Sequence, residues 1–168
     1  SIKTHATAIE KFIIKKKPFV IGLNIQEYIN NKLINMIVAC HTLRLFTDIN
    51  KYKKIKYPLI LPLESLSKNI KKKLKGIEVK NYGIQVIPNT FKFGIKNSII
   101  PNSLAVSYAL AISNSGKAKK IYLAGFDGYK PDDARNIEID KMISLYSSIN
   151  SAVELISITQ TKYKVKST

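Results

Sequence analysis

Four short apolar runs constrain this chain more than any other feature: Phe19-Val20-Ile21-Gly22-Leu23-Asn24, Ile34 to Cys40, Leu59-Ile60-Leu61 and Ile121-Tyr122-Leu123-Ala124. A run of this length that is apolar on both faces suits a strand covered on both sides, as in a parallel sheet sandwiched by helices. The segments between the runs carry helical spacing. Leu66, Ile70 and Leu74 recur every four residues while the neighbouring lysines face water, and Leu43 to Tyr52 places Leu45, Phe46 and Ile49 on one face. Leu104 to Ser113 brings Ala105, Ala109 and Ala111 close to a sheet, and Ala134 to about Asn150 turns Ile139, Met142, Ile143 and Tyr146 inward.

Weaker segments complete the order. Ile77 to Ile87 reads as a fourth strand with Gly83 as a bulge, Pro88 to Pro101 as a structured loop or edge hairpin, and Val153 to Ile158 as a last strand. The polar tail from Gln160 to Thr168 is placed to add an edge strand, and Ile25 to Asn31 reads as a short helix capped by Asn24. Alternation of this kind predicts an α/β fold: a three-layer α/β/α sandwich, Rossmann-like, on a mostly parallel sheet of about five to six strands. Residues 18–168 form that domain. Residues 1–17, with Ala6, Ile9, Phe12 and Ile13 at helical spacing before a basic run and Pro18, read as a lead-in helix or linker from an upstream domain, in keeping with a chain that opens at Ser1.

At 168 residues the chain can bury a core, and 45% hydrophobic with 23% charged residues is globular composition. No apolar run reaches the roughly 18 residues that span a bilayer, and no signal-peptide layout opens the chain, so a cytoplasmic protein without a membrane span is expected. A lone cysteine, Cys40, excludes an internal disulfide and offers no metal framework. The net charge of +17 suggests nucleic acid, but only Arg44 and Arg135 among 28 basic residues are arginines, the residue whose fork reads phosphates and bases. The lysines are spread among isoleucines and asparagines, so nucleic acid is not the expected partner; attraction to anionic ligands or acidic surfaces survives.

Ligands of open α/β sheets bind outside the carboxyl ends of the strands. The loop Phe126 to Arg135 follows the last of the four runs and is the leading site, with Asp127 placed to bind a metal, hold a ribose hydroxyl or orient a substrate and Arg135 close by. Asp132 and Asp133 read as helix caps, and an Asp127-Gly128 turn is the structural alternative. Asn24 ends the first run, where the Gly-x-Gly-x-x-Gly pattern of a dinucleotide site is absent, so no dinucleotide cofactor is expected. His41 and Arg44 follow the second run and suit an anionic group. Cys40 reads as a small buried apolar residue, Asn102 or Ser103 as the cap of the helix at 104, Gly116 as a helix end, and His5 carries no signal.

The segment IYLAGFDGYKPDDARNIEIDKM, with FVIGLN and VACHTLRL before it, resembles the C-terminal extension of HMG-CoA lyase and 4-hydroxy-2-oxovalerate aldolase-type proteins from bacterial surface-polysaccharide gene clusters. The resemblance implies an upstream aldolase barrel that carries the carbon–carbon bond chemistry, which is the lyase activity of lipopolysaccharide and related biosynthesis. The present chain would then be an accessory domain, not catalytic alone, binding a small anionic or sugar-like ligand or mediating assembly, with a homo-oligomer left open. The alternative is a nucleotide-sugar-dependent glycosyltransferase of sialyltransferase-like layout, for which His41 is the base available at the strand ends.

Overall fold

The computed structural model describes residues 2–167; the first and last residues of the expected lead-in and tail, Ser1 and Thr168, lie outside the described residues. The chain is a mixed α/β fold whose strands pair mainly in parallel. Helix α1 (Ile2–Lys16) leads to β1 (Ile21–Leu23), β2 (Met36–Val38), α2 (Thr42–Thr47), α3 (Ile49–Tyr52), β3 (Leu59–Leu61), α4 (Lys68–Lys73) and β4 (Val79–Asn81). There follow β5 (Gly83–Val86), β6 (Lys92–Phe93), β7 (Asn97–Ile100), α5 (Ala105–Ser115), β8 (Ile121–Leu123), α6 (Ala134–Ser147), β9 (Leu155–Ser157) and β10 (Lys166–Ser167).

Where the sequence reading places these strands in one sheet, hydrogen bonds divide them into three ladders among the described residues: β1-β2-β3-β4, β10-β9-β8 and β5-β7-β6. The first two are parallel throughout, and β6 alone runs antiparallel, to β7. The expected fourth strand is in fact two. Tyr82 N–H still donates to Leu61 O of the first ladder (3.1 Å), and the next residue, Gly83, donates to Lys96 O of the third (2.9 Å). A Cβ on Gly83 would sit 3.1 Å from the Asn97 Cβ, so glycine permits the close strand approach at the point where the chain changes ladder.

Burial along the apolar runs shows why they pattern as they do. Ile37, Ala39, Leu59 and Leu61 pack into one core cluster with α1 to α4, whereas Val38 and Ile60 between them pack into another with α5, β8 and α6. The two central strands of the first ladder, β2 and β3, are therefore covered on both faces, whereas β1 is half-buried and β4 is largely exposed. The four residues expected inward on α6 are all buried. Helix α1 falls within the expected lead-in and docks on the body: Ile9 and Ile13 are buried in the first of these clusters, and Phe12 meets Tyr122 of β8 edge-on at 5.1 Å. The helix expected at 25–31 is instead an irregular turn. The Gln26 Oε1 accepts from Tyr28 and Ile29 N–H, and Asn30 caps a short 3₁₀ turn at Asn31–Leu33, so side chains take the donors that a helix would use.

Candidate functional site

Between β1 and β8 lies a cleft of about 1570 Å³. The path of the chain builds it. The amino end of α1 lies against the turn after β8, since Ile2 packs on Gly125, and the carboxyl end of α1 leads through residues 17–20 into β1. Strands β1 and β8 thus run in the same direction on either side of the cleft, α1 covers one face and α5 the other. The middle is apolar, lined by Ile9, Ile13, Leu23, Val106, Leu110 and Leu123. Polar groups gather at its two ends.

At the carboxyl ends of the strands, the structure brings Asn24, Arg44 and Asp127 to this one cleft. Asn24 sits in the left-handed region (φ 56°), a conformation asparagine tolerates, and its N–H donates to Val38 O at 2.9 Å; it turns the chain and caps no helix. Arg44 is exposed at the rim. The amino end of α5 opens on the same space with no side-chain cap, because Asn102 Oδ1 accepts from the Ser107 hydroxyl instead (2.6 Å) and the N-cap position falls to Leu104.

His41 and Arg135 stand elsewhere. The His41 Nδ1 accepts from Arg44 N–H at 3.4 Å and caps α2, so the imidazole serves the helix that presents Arg44. Arg135 donates through Nε and Nη2 to both carboxylate oxygens of Asp133 (2.8 and 2.5 Å) and stacks over Tyr129 at 3.9 Å. Asp133 also caps α6, and its bonds to Arg135 hold its carboxyl at about 2, below the usual carboxylate range. The two residues stabilise the loop's exit and do not line the cleft.

Sequence reading missed what holds Asp127 in place. The Nε2 of His5, a residue that carried no signal in the sequence, lies 3.6 Å from Asp127 Oδ2. Behind the loop, Thr159 Oγ1 accepts from Gly125 N–H, Thr161 donates to Phe126 O, and Lys162 Nζ donates to Tyr129 O. Asn136 is the pin: its Oδ1 accepts from Tyr129 N–H (2.9 Å) and Tyr163 O–H (3.2 Å), and its Nδ2 donates to Lys130 O (2.6 Å). Asn136→Ala should lower stability by about 1–3 kcal/mol and speed exchange of the Tyr129 amide, read by hydrogen exchange.

Cys40 is half-buried, and its Sγ donates to Ser103 O at 3.2 Å. Burial pushes its thiol up to about 12, so the thiolate needed for nucleophilic attack is scarce near neutral pH. Ellman's reagent at pH 8 should therefore label the native protein far more slowly than the protein in guanidinium. Equal rates would refute this. Among the described residues no group of three or more His, Cys, Asp or Glu is placed to hold a metal ion, and no helix is long and apolar enough to cross a membrane. Comparison of the chain with protein-family models, curated proteins and solved structures found no match.

Proposed function

We propose that the cleft between β1 and β8 binds a small anionic or sugar-like ligand. Arg44 meets its charge, while Asn24 and Asp127 meet its hydroxyls. In this reading the two parallel ladders flanking the cleft are the halves of a three-layer, Rossmann-like domain, and the chain is the accessory domain of a cytoplasmic aldolase-type lyase of bacterial surface-polysaccharide biosynthesis, beside an upstream barrel. The observation that carries the binding reading is the convergence of Asn24, Arg44 and Asp127, far apart in sequence, on one cleft beyond the carboxyl ends of β1, β2 and β8. The aldolase context rests on the resemblance of the IYLAGFDGY segment and its flanks.

A second reading has one observation in its favour. A nucleotide-sugar glycosyltransferase needs a base near the strand ends, and His5 beside Asp127 is a histidine–carboxylate couple of the kind that moves protons. At 3.6 Å the pair is wider than a hydrogen bond and within a small rotation of one.

Thermal shift separates the readings. Keto acids, sugar acids and CMP- or UDP-sugars are added to the chain and to its Arg44→Ala and Asp127→Ala variants. A ligand near a hundredfold its Kd stabilises by about 2.7 kcal/mol, a shift of roughly 5–10 °C for a domain of this size. A shift with a keto or sugar acid that Arg44→Ala abolishes supports the accessory reading. A nucleotide-sugar shift lost in Asp127→Ala, with turnover lost in His5→Ala, supports the transferase. No shift with any compound would sink both.

A further inference from the structure

The opposite end of the cleft, where β1 and β8 begin, has a different chemistry. Two helices end there, α1 and α5; the last turn of α1 carries Lys15 and Lys16, and the short links that follow the two helices carry Lys17, Lys117, Lys119 and Lys120, all exposed. Lys16, Lys119 and Lys120 line the same mouth as Pro18 and Phe19, which places the two links side by side. Lysines at helix carboxyl ends offset the negative pole of each helix, which accounts for some of this charge. It does not account for two large apolar residues set among them: Ile14, 62% exposed on the outer side of α1, and Phe19, 63% exposed just beyond Pro18. Ile13, one position earlier, is buried, so Ile14 is turned away from the core by the pitch of the helix.

We propose that this end of the molecule docks on an anionic lipid bilayer, with Ile14 and Phe19 entering the headgroup region and the lysines around them meeting the lipid phosphates and carboxylates. Neither side chain gains from water or from a polyanion alone, whereas exposed apolar residues beside lysines match an interface that is charged outside and apolar beneath. Nucleic acid is the poorer match, because both arginines of the chain, Arg44 and Arg135, lie at the other ends of these strands, beyond β2 and β8. Two acidic groups lie near the patch, and each is already engaged. Glu10, one turn before Ile14 on α1, accepts from Asn30 N–H at 2.7 Å. Glu154 is close enough to Lys120 to feel its charge, and it is already bonded to Lys166 at 2.9 Å. Docking of this end does not depend on what occupies the cleft.

The chain has no tryptophan, so Phe19→Trp installs a single reporter. Co-sedimentation is measured with vesicles of phosphatidylcholine alone and of phosphatidylcholine mixed with phosphatidylserine, with circular dichroism confirming that each variant is folded. Binding to the mixed vesicles only is expected, with a blue shift of the indole emission in the Phe19→Trp variant. Changing Lys15, Lys16 and Lys17 to Gln should weaken binding about fivefold per lysine, and the pair Ile14→Ser and Phe19→Ser about tenfold at unchanged charge. The control changes Lys71, Lys72 and Lys73 of the α4 region to Gln, removing the same charge elsewhere, and should alter binding less than about threefold. Equal loss in the two lysine variants would show attraction by net charge alone and overturn the proposal. So would an unshifted emission, or binding to duplex DNA that matches binding to the vesicles and ignores the Ile14 and Phe19 changes.

Discussion

Replacing Tyr146 by alanine is expected to lower the unfolding free energy by about 4 kcal/mol, the upper range for truncating a buried aromatic. Tyr146 is 1% exposed in the last turns of α6, and its ring meets Phe91 edge-on at 5.6 Å and Phe93 at 5.9 Å. The loss is thus both of area and of paired ring contacts. Its hydroxyl donates to Val153 O (3.0 Å) and accepts from Asn114 Nδ2 (2.5 Å), while Asn114 Oδ1 accepts from Val153 N–H (3.0 Å). This three-residue knot ties α5, α6 and the turn before β9 together. Tyr146→Phe keeps the rings and removes the knot, at a cost of about 1–3 kcal/mol. Urea unfolding followed by circular dichroism measures both variants. If alanine and phenylalanine proved equally mild, the cluster would not be a keystone of this half of the core.

Gly125→Val should cost about 3 kcal/mol or more, and its effect should reach helix α1. Gly125 turns the chain out of β8 at φ +75°, which a β-branched residue resists, and a Cβ there would overlap the Ile2 side chain. Gly76 supplies the comparison: it has φ +85° after α4, with nothing within 4 Å of an added Cβ. Gly76→Ala therefore reports the backbone cost alone, about 1 kcal/mol, and the excess in Gly125→Ala reports contact with α1. Hydrogen exchange should show α1 amides losing protection in Gly125→Val while those of α4 keep theirs. Protection retained in both helices would mean that Ile2 simply moves aside. Because His5 of α1 lies beside Asp127, a displaced helix should also blunt any ligand-induced thermal shift that depends on Asp127.

Part of the site followed from reading residues against strand ends. Asn24, Arg44 and Asp127 each lie just beyond an apolar run, and the strands they follow, although in two ladders, bring these positions to one cleft. His41 and Arg135 satisfied the same rule and were diverted locally. A histidine directly before a helix finds its first-turn N–H groups, and an arginine two residues after the Asp133 cap meets that carboxylate before it can reach the cleft. Local pattern narrowed the cap of α6 to Asp132 or Asp133, since capping involves neighbours in sequence, and the structure gives it to Asp133. His5, Asn136, Thr159 and Thr161 carried no pattern, because each acts on the loop through contacts made 34 or more residues away, or, for Asn136, through a loop that must already be folded back.

What the sequence determined by itself was the order and kind of most elements: short apolar strands, amphipathic helices between them, and a helix end at Gly116. These depend on periodicity and on allowed backbone angles, which are properties of neighbouring residues. Tertiary structure alone decided which strands pair, where β1 and β8 part to leave a cleft, that α1 roofs it, and that Tyr82 and Gly83 belong to different ladders. Strand pairing is a contest between distant segments with similar apolar content, and small differences in packing, such as the space left by a glycine beside Asn97, settle it.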